Sequence, residues 1–164
     1  MFSSLAVKFH SSYNWILTKE FTFFSDKVKL NAPLWRDVGL NVVVQNNGGV
    51  QIIVESGFST DFATTPRILW SIVAPQDICH AAVIHDKMYS LVENTNCDFW
   101  VKRSLRHEAD CVFWEGLQDR TCYSGFCHQI RCVLCWYAVR FFGWTYVNIP
   151  YIVNFRKYEG TKKK

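Results

Sequence analysis

Between Trp15 and Val54 apolar and polar positions change over within two or three residues, and four short runs are rich in β-branched and aromatic side chains. These runs, Ile16–Phe24, Val28–Trp35, Leu40–Gln45 and Val50–Glu55, have the pattern of half-buried extended chain. The last two flank Asn46-Asn47-Gly48-Gly49, residue types that tolerate positive φ, which predicts a hairpin. An antiparallel sheet of three to five strands is expected over about residues 15–56. From Thr65 onward the period lengthens to that of a helix. Thr65 and Pro66 make an N-cap and N1 pair for a short helix ending near Val73, before Pro75. Further helices are predicted over Asp77–Val92, Asp98–Asp119 and Gly125–Gly143. Strands followed by helices, without an internal repeat, predict one α+β domain: a single unit over 1–158 with a three- to four-helix C-terminal part, and a basic tail at 159–164.

Composition narrows the class without naming it. A chain of 164 residues that is 49% hydrophobic and 16% aromatic can bury a core without cross-links. The formal net charge of +4, with Lys162, Lys163 and Lys164 at the end of the chain, is too mild for a nucleic-acid footprint. It is compatible with an anionic membrane surface. The first residues carry no basic segment followed by an apolar run, so no signal peptide is expected. The apolar stretch from Cys132 to Phe155 is interrupted by Arg140, Asn148 and Pro150, which argues against a spanning helix. Without a secretory signal the seven cysteines are expected to stay reduced. Cys127, His128, Cys132 and Cys135 fall in one predicted helix with no second paired knuckle, so thiols rather than zinc ligands are expected there.

Three polar clusters stand in apolar surroundings. In the first, Ile84-His85-Asp86-Lys87-Met88-Tyr89, His85 and Tyr89 are four apart and share a helix face, while Asp86 points about 100° round it. A base and a metal-holding carboxylate can thus address neighbouring points of one cavity. The second, Arg106-His107-Glu108-Ala109-Asp110, offers Asp110 to His85 if the two helices pack together. An orienting carboxylate of this kind selects the imidazole tautomer. The third is the polar loop Gly57–Pro66, whose Asp61 and carbonyls are hard oxygen donors suited to Ca²⁺, with Asp86 as a further ligand. Each has a plainer alternative. A His-Asp pair is often a satisfied core contact, Asp110 has a second partner in Arg106 four residues before it, and Asp61 can be an ordinary loop or capping residue.

The order Ser59-Thr60-Asp61-Phe62-Ala63-Thr64-Thr65-Pro66, then His85-Asp86-x-x-Tyr89, then Arg106-x-Glu108-Ala109-Asp110-x-x-Phe113 resembles an uncharacterised family of small proteins of tailed phages and prophages. That likeness spans about Leu17 to Trp144. The same positions from Ser59 to Phe113 are similar to the bacterial and fungal branch of phospholipase A₂, which implies a phospholipase-like helix pair. By that resemblance His85 would activate water and Asp110 would orient it, with Tyr89 bracing Asp110. Asp61, Asp86 and a carbonyl at Phe62 would hold Ca²⁺. The phospholipases carry glycine where this chain has Phe62, and the strands before Val54 have no counterpart in them.

The expectation that follows is a metal-assisted ester hydrolase, phage-encoded, acting on phospholipid at a membrane surface. It would reside in the host cytoplasm, on the virion or at the membrane periphery, and would bind no nucleic acid. A second expectation is a non-enzymatic virion or host-interaction protein whose His-Asp cluster is a buried polar network. A third, an HD-type metal phosphohydrolase, wants a further upstream histidine, for which only His80 and His10 offer themselves.

Overall fold

A computed structural model describes residues 3–11, 14–28, 31–46, 48–60, 75–119 and 126–146. Six strands and four helices are assigned in them: β1 (Val7–Ser11), β2 (Asn14–Leu17), β3 (Phe21–Ser25), α1 (Ala32–Asp37), β4 (Asn41–Val44), β5 (Val50–Val54), β6 (Ser59–Thr60), α2 (Pro75–Asn94), α3 (Phe99–Leu117) and α4 (Phe126–Tyr146). The chain is α+β, strands first and long helices after. The helix expected over Thr65–Val73 and the tail at 159–164 lie outside the described residues.

The strands form two antiparallel three-stranded sheets rather than one, in the orders β1-β2-β6 and β3-β5-β4. The run Ile16–Phe24 is divided at Lys19-Glu20, which leaves β2 in one sheet and β3 in the other. In the second sheet the alternation is regular: Phe21 and Phe23 of β3, and Val50, Ile52 and Val54 of β5, all face the core. The expected hairpin joins β4 to β5 with Val44 opposite Val50, Gln45 N–H donating to the Gly49 carbonyl at 2.8 Å and Gly48 at φ 83°. β1 and β6 were not expected. Both are sheet-edge strands, and β6 is only two residues long.

The run Val28–Trp35, expected to be extended, instead enters a helix. Pro33 sits in the first turn of α1, where its missing N–H is not needed, and Trp35 is fully buried. A helix of six residues is too short for a periodic signal. Its register is decided by what Trp35 meets: the indole N–H donates to Glu108 Oε2 at 2.9 Å, and Asn31 Nδ2 donates to the same oxygen at 3.0 Å.

α2 and α3 lie against one another along their lengths, α2 also touches β5 and β6, and α4 packs on α3. One continuous core joins sheet residues such as Phe23 and Ile52 to Ile84, Met88, Leu105 and Phe113 of the helices. Polar ties cross the same seam. Ser25 Oγ and the Asp26 N–H, at the end of β3, both donate to Glu115 of α3. Lys87 of α2, largely buried, donates to Glu55 after β5 at 2.7 Å and lies 5.2 Å from the centroid of the Phe58 ring. Burial pushes the Glu55 carboxyl up, but the hydrogen bond and charge of Lys87, with a backbone bond, outweigh it and hold the group below its ordinary value. α3 begins where Asp98 accepts from the N–H groups of Trp100 (2.8 Å) and Val101 (3.1 Å).

Candidate functional site

The seam between α2 and α3 brings His85, Tyr89 and Asp110 together. His85 is wholly buried and Asp110 nearly so. His85 Nε2 lies 3.0 Å from Asp110 Oδ1, and the Tyr89 hydroxyl donates to the same oxygen at 2.7 Å. The geometry follows from helical spacing. His85 and Tyr89, one turn apart on α2, present a ring nitrogen and a hydroxyl to one point on the facing helix. The two rings are themselves in contact, with centroids 4.2 Å apart, and Phe113 closes the other side of the imidazole at 5.1 Å.

Asp110 has a third partner. Arg140, from α4, donates through Nη1 to Asp110 Oδ2 at 3.1 Å and lies 2.8 Å from His107 Nδ1. Its guanidinium also lies over the Trp136 ring, 5.5 Å from the centroid. The alternative pairing of Asp110 with Arg106 does not form. Arg106 turns to α2 and donates through Nε to Glu93 at 3.0 Å. Sequence reading had used Arg140 only as an interruption of an apolar stretch. A lone guanidinium in a helix as apolar as Trp136-Tyr137-Ala138-Val139-Arg140-Phe141-Phe142 was itself the signal, because such a cation wants a buried carboxylate.

These contacts decide the protonation pattern. A carboxylate that already takes one guanidinium and one phenol as donors serves as an acceptor, so His85 presents N–H at Nε2. Its proton is assigned by that network. In the neutral ring Nδ1 then carries a lone pair, and Nδ1 is buried with no hydrogen-bond partner among the described residues. Burial first, then the charge of Asp110 and the bond to it, push the Tyr89 phenol far above its ordinary range. Tyr89 is therefore a permanent donor. Cys111, next to Asp110 on α3, is likewise pushed up, by burial and then by the Asp110 charge, and remains a thiol.

Asp86 stands on the neighbouring face of α2, as its position one residue after His85 requires, and its Oδ2 accepts from Thr60 Oγ1 at 2.6 Å. Thr60, at the end of β6, was not singled out by sequence reading. It immediately precedes Asp61, so β6 delivers the chain to the Asp86 carboxylate at the point where the Asp61 segment begins. Asp61 and Phe62 lie outside the described residues. Among the described residues no three histidine, cysteine, aspartate or glutamate side chains are grouped to hold a metal. Cys132 and Cys135 are buried, and the Cys132 thiol donates to the Leu117 carbonyl at 3.3 Å. Of the two histidines upstream, His80 lies beside Cys79 and Phe21, with Cys79 Sγ 3.4 Å from its Nδ1. No described helix is long and apolar enough to cross a membrane.

No curated protein and no solved structure matches the chain. A family model does match, over residues 37–139, a span that contains Thr60, His85, Asp86, Tyr89 and Asp110 and stops one residue short of Arg140. Since that match covers more than half of the chain, the protein belongs to the family described as protein of unknown function (DUF1353).

Proposed function

We propose that the protein is a phage-encoded hydrolase of phospholipase A₂ type, acting on the ester bond of a phospholipid at a membrane surface in the host. One observation carries the reading. His85 is held through Nε2 by the Asp110 carboxylate, while its other nitrogen, Nδ1, has no partner among the described residues. A base so oriented can take a proton from a water admitted to Nδ1. In the reaction, Nδ1 accepts that proton as the water oxygen adds to the ester carbonyl, and the imidazolium then protonates the departing alkoxide as the C–O bond breaks. Asp110 stabilises the imidazolium, and Tyr89 and Arg140 hold Asp110 in place. Asp86 and Asp61, with a carbonyl at Phe62, would hold Ca²⁺, which when bound supplies charge to polarise the carbonyl.

Fatty-acid release from liposomes, with and without Ca²⁺, tests the reading. His85→Ala is expected to reduce release by about 10²–10⁴-fold, the usual contribution of a positioned base. No release by the native protein, or equal release by His85→Ala, would sink it. The complete burial of His85 favours a second reading, in which the protein is a non-enzymatic virion or host-interaction component and the network serves to lock α2, α3 and α4 together. That reading predicts loss of stability in His85→Ala with no esterase activity in the native chain.

A further inference from the structure

α4 is apolar on both sides. Cys132, Cys135 and Val139 face the core, as an amphipathic helix requires. The opposite side ought to be polar. Instead Ile130, Val133, Leu134 and Tyr137, at i, i+3, i+4 and i+7, form one outward stripe, and they are 48%, 40%, 38% and 63% exposed. Scattered exposed apolar residues are ordinary, but four in one helical register make a face.

Charge says what covers it. Arg131 and Arg140 are the charged residues of α4, which has no aspartate or glutamate. From Phe126 to the last residue the chain has seven basic residues and one acidic, a formal +6. Residues 1–125 have eleven basic and thirteen acidic, −2. The mild net charge of the whole chain thus hides a strong asymmetry, with the positive part on and after the helix that bears the apolar stripe. Two copies meeting through α4 would bring like charges together. An apolar stripe on a helix that lacks acids, in the basic part of the chain, instead fits the boundary between headgroups and acyl chains of an anionic bilayer.

We infer that the outer face of α4, Ile130, Val133, Leu134 and Tyr137, is a docking surface for an anionic lipid membrane. The stripe enters the acyl boundary, and the net positive charge of the chain from Phe126 onward favours an anionic over a neutral bilayer. Docking itself is independent of hydrolysis, but its use does rest on the reading above. α4 also carries Arg140 to Asp110, so a docked bilayer would lie about one helix diameter from the carboxylate that orients His85.

Co-sedimentation of the full chain with vesicles of phosphatidylcholine alone, and of phosphatidylcholine and phosphatidylglycerol at about seven to three, is the test. Binding to the anionic vesicles, weakened by salt, is expected. The double variant Ile130→Ser/Leu134→Ser, with an unchanged circular dichroism spectrum, should lower partitioning by about tenfold or more. Absence of binding, equal binding to both vesicle types, or binding untouched by the double variant overturns the inference. So does a native dimer that the double variant turns into a monomer, since the stripe would then be covered by a second copy. A native protein that binds vesicles and releases no fatty acid would refute the hydrolase and leave the docking surface standing. A double variant that no longer binds vesicles, yet cleaves a soluble short-chain phospholipid like the native protein, would support both.

Discussion

At the scale of single residues, two buried carboxylates on α3, two positions apart and so within one helical turn, do different work. Glu108 takes two neutral donors, Trp35 and Asn31, on one oxygen, and fastens α1 to α3. Asp110 takes a cation, a phenol and an imidazole, and fastens α2 and α4 to α3. The difference can be tested by deletion. Trp35→Phe keeps most of the apolar burial but removes one of two donors to Glu108, and should cost about 1–3 kcal/mol in urea unfolding. A loss below a few tenths would show that Glu108 finds replacement partners. Arg140→Met, which leaves Asp110 without its cation but with Tyr89 and His85, should cost about 1–3 kcal/mol, since the guanidinium is itself partly exposed, and a stability equal to that of the native chain would mean that the ion pair is not formed in solution. A third residue makes stability depend on pH. Burial depresses the proton affinity of His80, with the charge of Asp119 working weakly against it. Below its ordinary value of 6.5 the unfolded chain therefore binds a proton that the folded chain refuses. The stability present above that pH is lost as the pH falls through the folded value. Replacing His80 with Asn should flatten this part of the stability profile, measured by denaturant midpoints between about pH 7 and pH 5; an unchanged slope would assign it to another group.

At the scale of elements, the long helices were legible and the short pieces were not. α2 and α3 fall within two residues of their expected ends, because each shows several periods of apolar repeat and α3 opens on a capping aspartate. Asp98→Ala removes the acceptor for two N–H groups and is expected to lower stability by about 1 kcal/mol. No change in midpoint would mean that water caps the helix equally well. α1 and β6 have six and two residues, too few for a period to repeat. Their conformations are imposed from outside, α1 by the pocket that Glu108 makes for Trp35 and β6 by pairing with Trp15 and Ile16 of β2. The division of Ile16–Phe24 into strands of two sheets has the same cause. Nothing in the alternation of that run distinguishes one sheet from two, since both strands want the same local backbone.

At the scale of the whole molecule, sheet and helices share one apolar cluster, so neither part has a core of its own to fall back on. Unfolding should be a single cooperative transition. Tryptophan fluorescence, which reports Trp35 and Trp114 in and beside that core, and far-ultraviolet circular dichroism, which reports the helices, should give coincident urea curves. Separate midpoints would show that the strand half and the helix half are independent units. The charge asymmetry acts at this scale too: it leaves the body of the protein slightly acidic and concentrates basic residues on α4 and beyond.

The amino-acid sequence by itself determined the α+β order, the hairpin at Asn46–Gly49 and the long helices. It also determined that His85 and Tyr89 share a face with Asp86 beside it, since each depends on residues near one another along the chain. The meeting of His85 with Asp110 was a conditional expectation that the packing of α2 on α3 fulfilled. Only tertiary structure could decide which cation Asp110 takes. Arg106 is closer along the chain and correctly spaced, yet Glu93 on the facing helix captures it, and Arg140, thirty residues on, completes the site. Spacing along a helix fixes which side chains point the same way. Which of them become partners depends on what the neighbouring helix brings against that face, and no local pattern contains that.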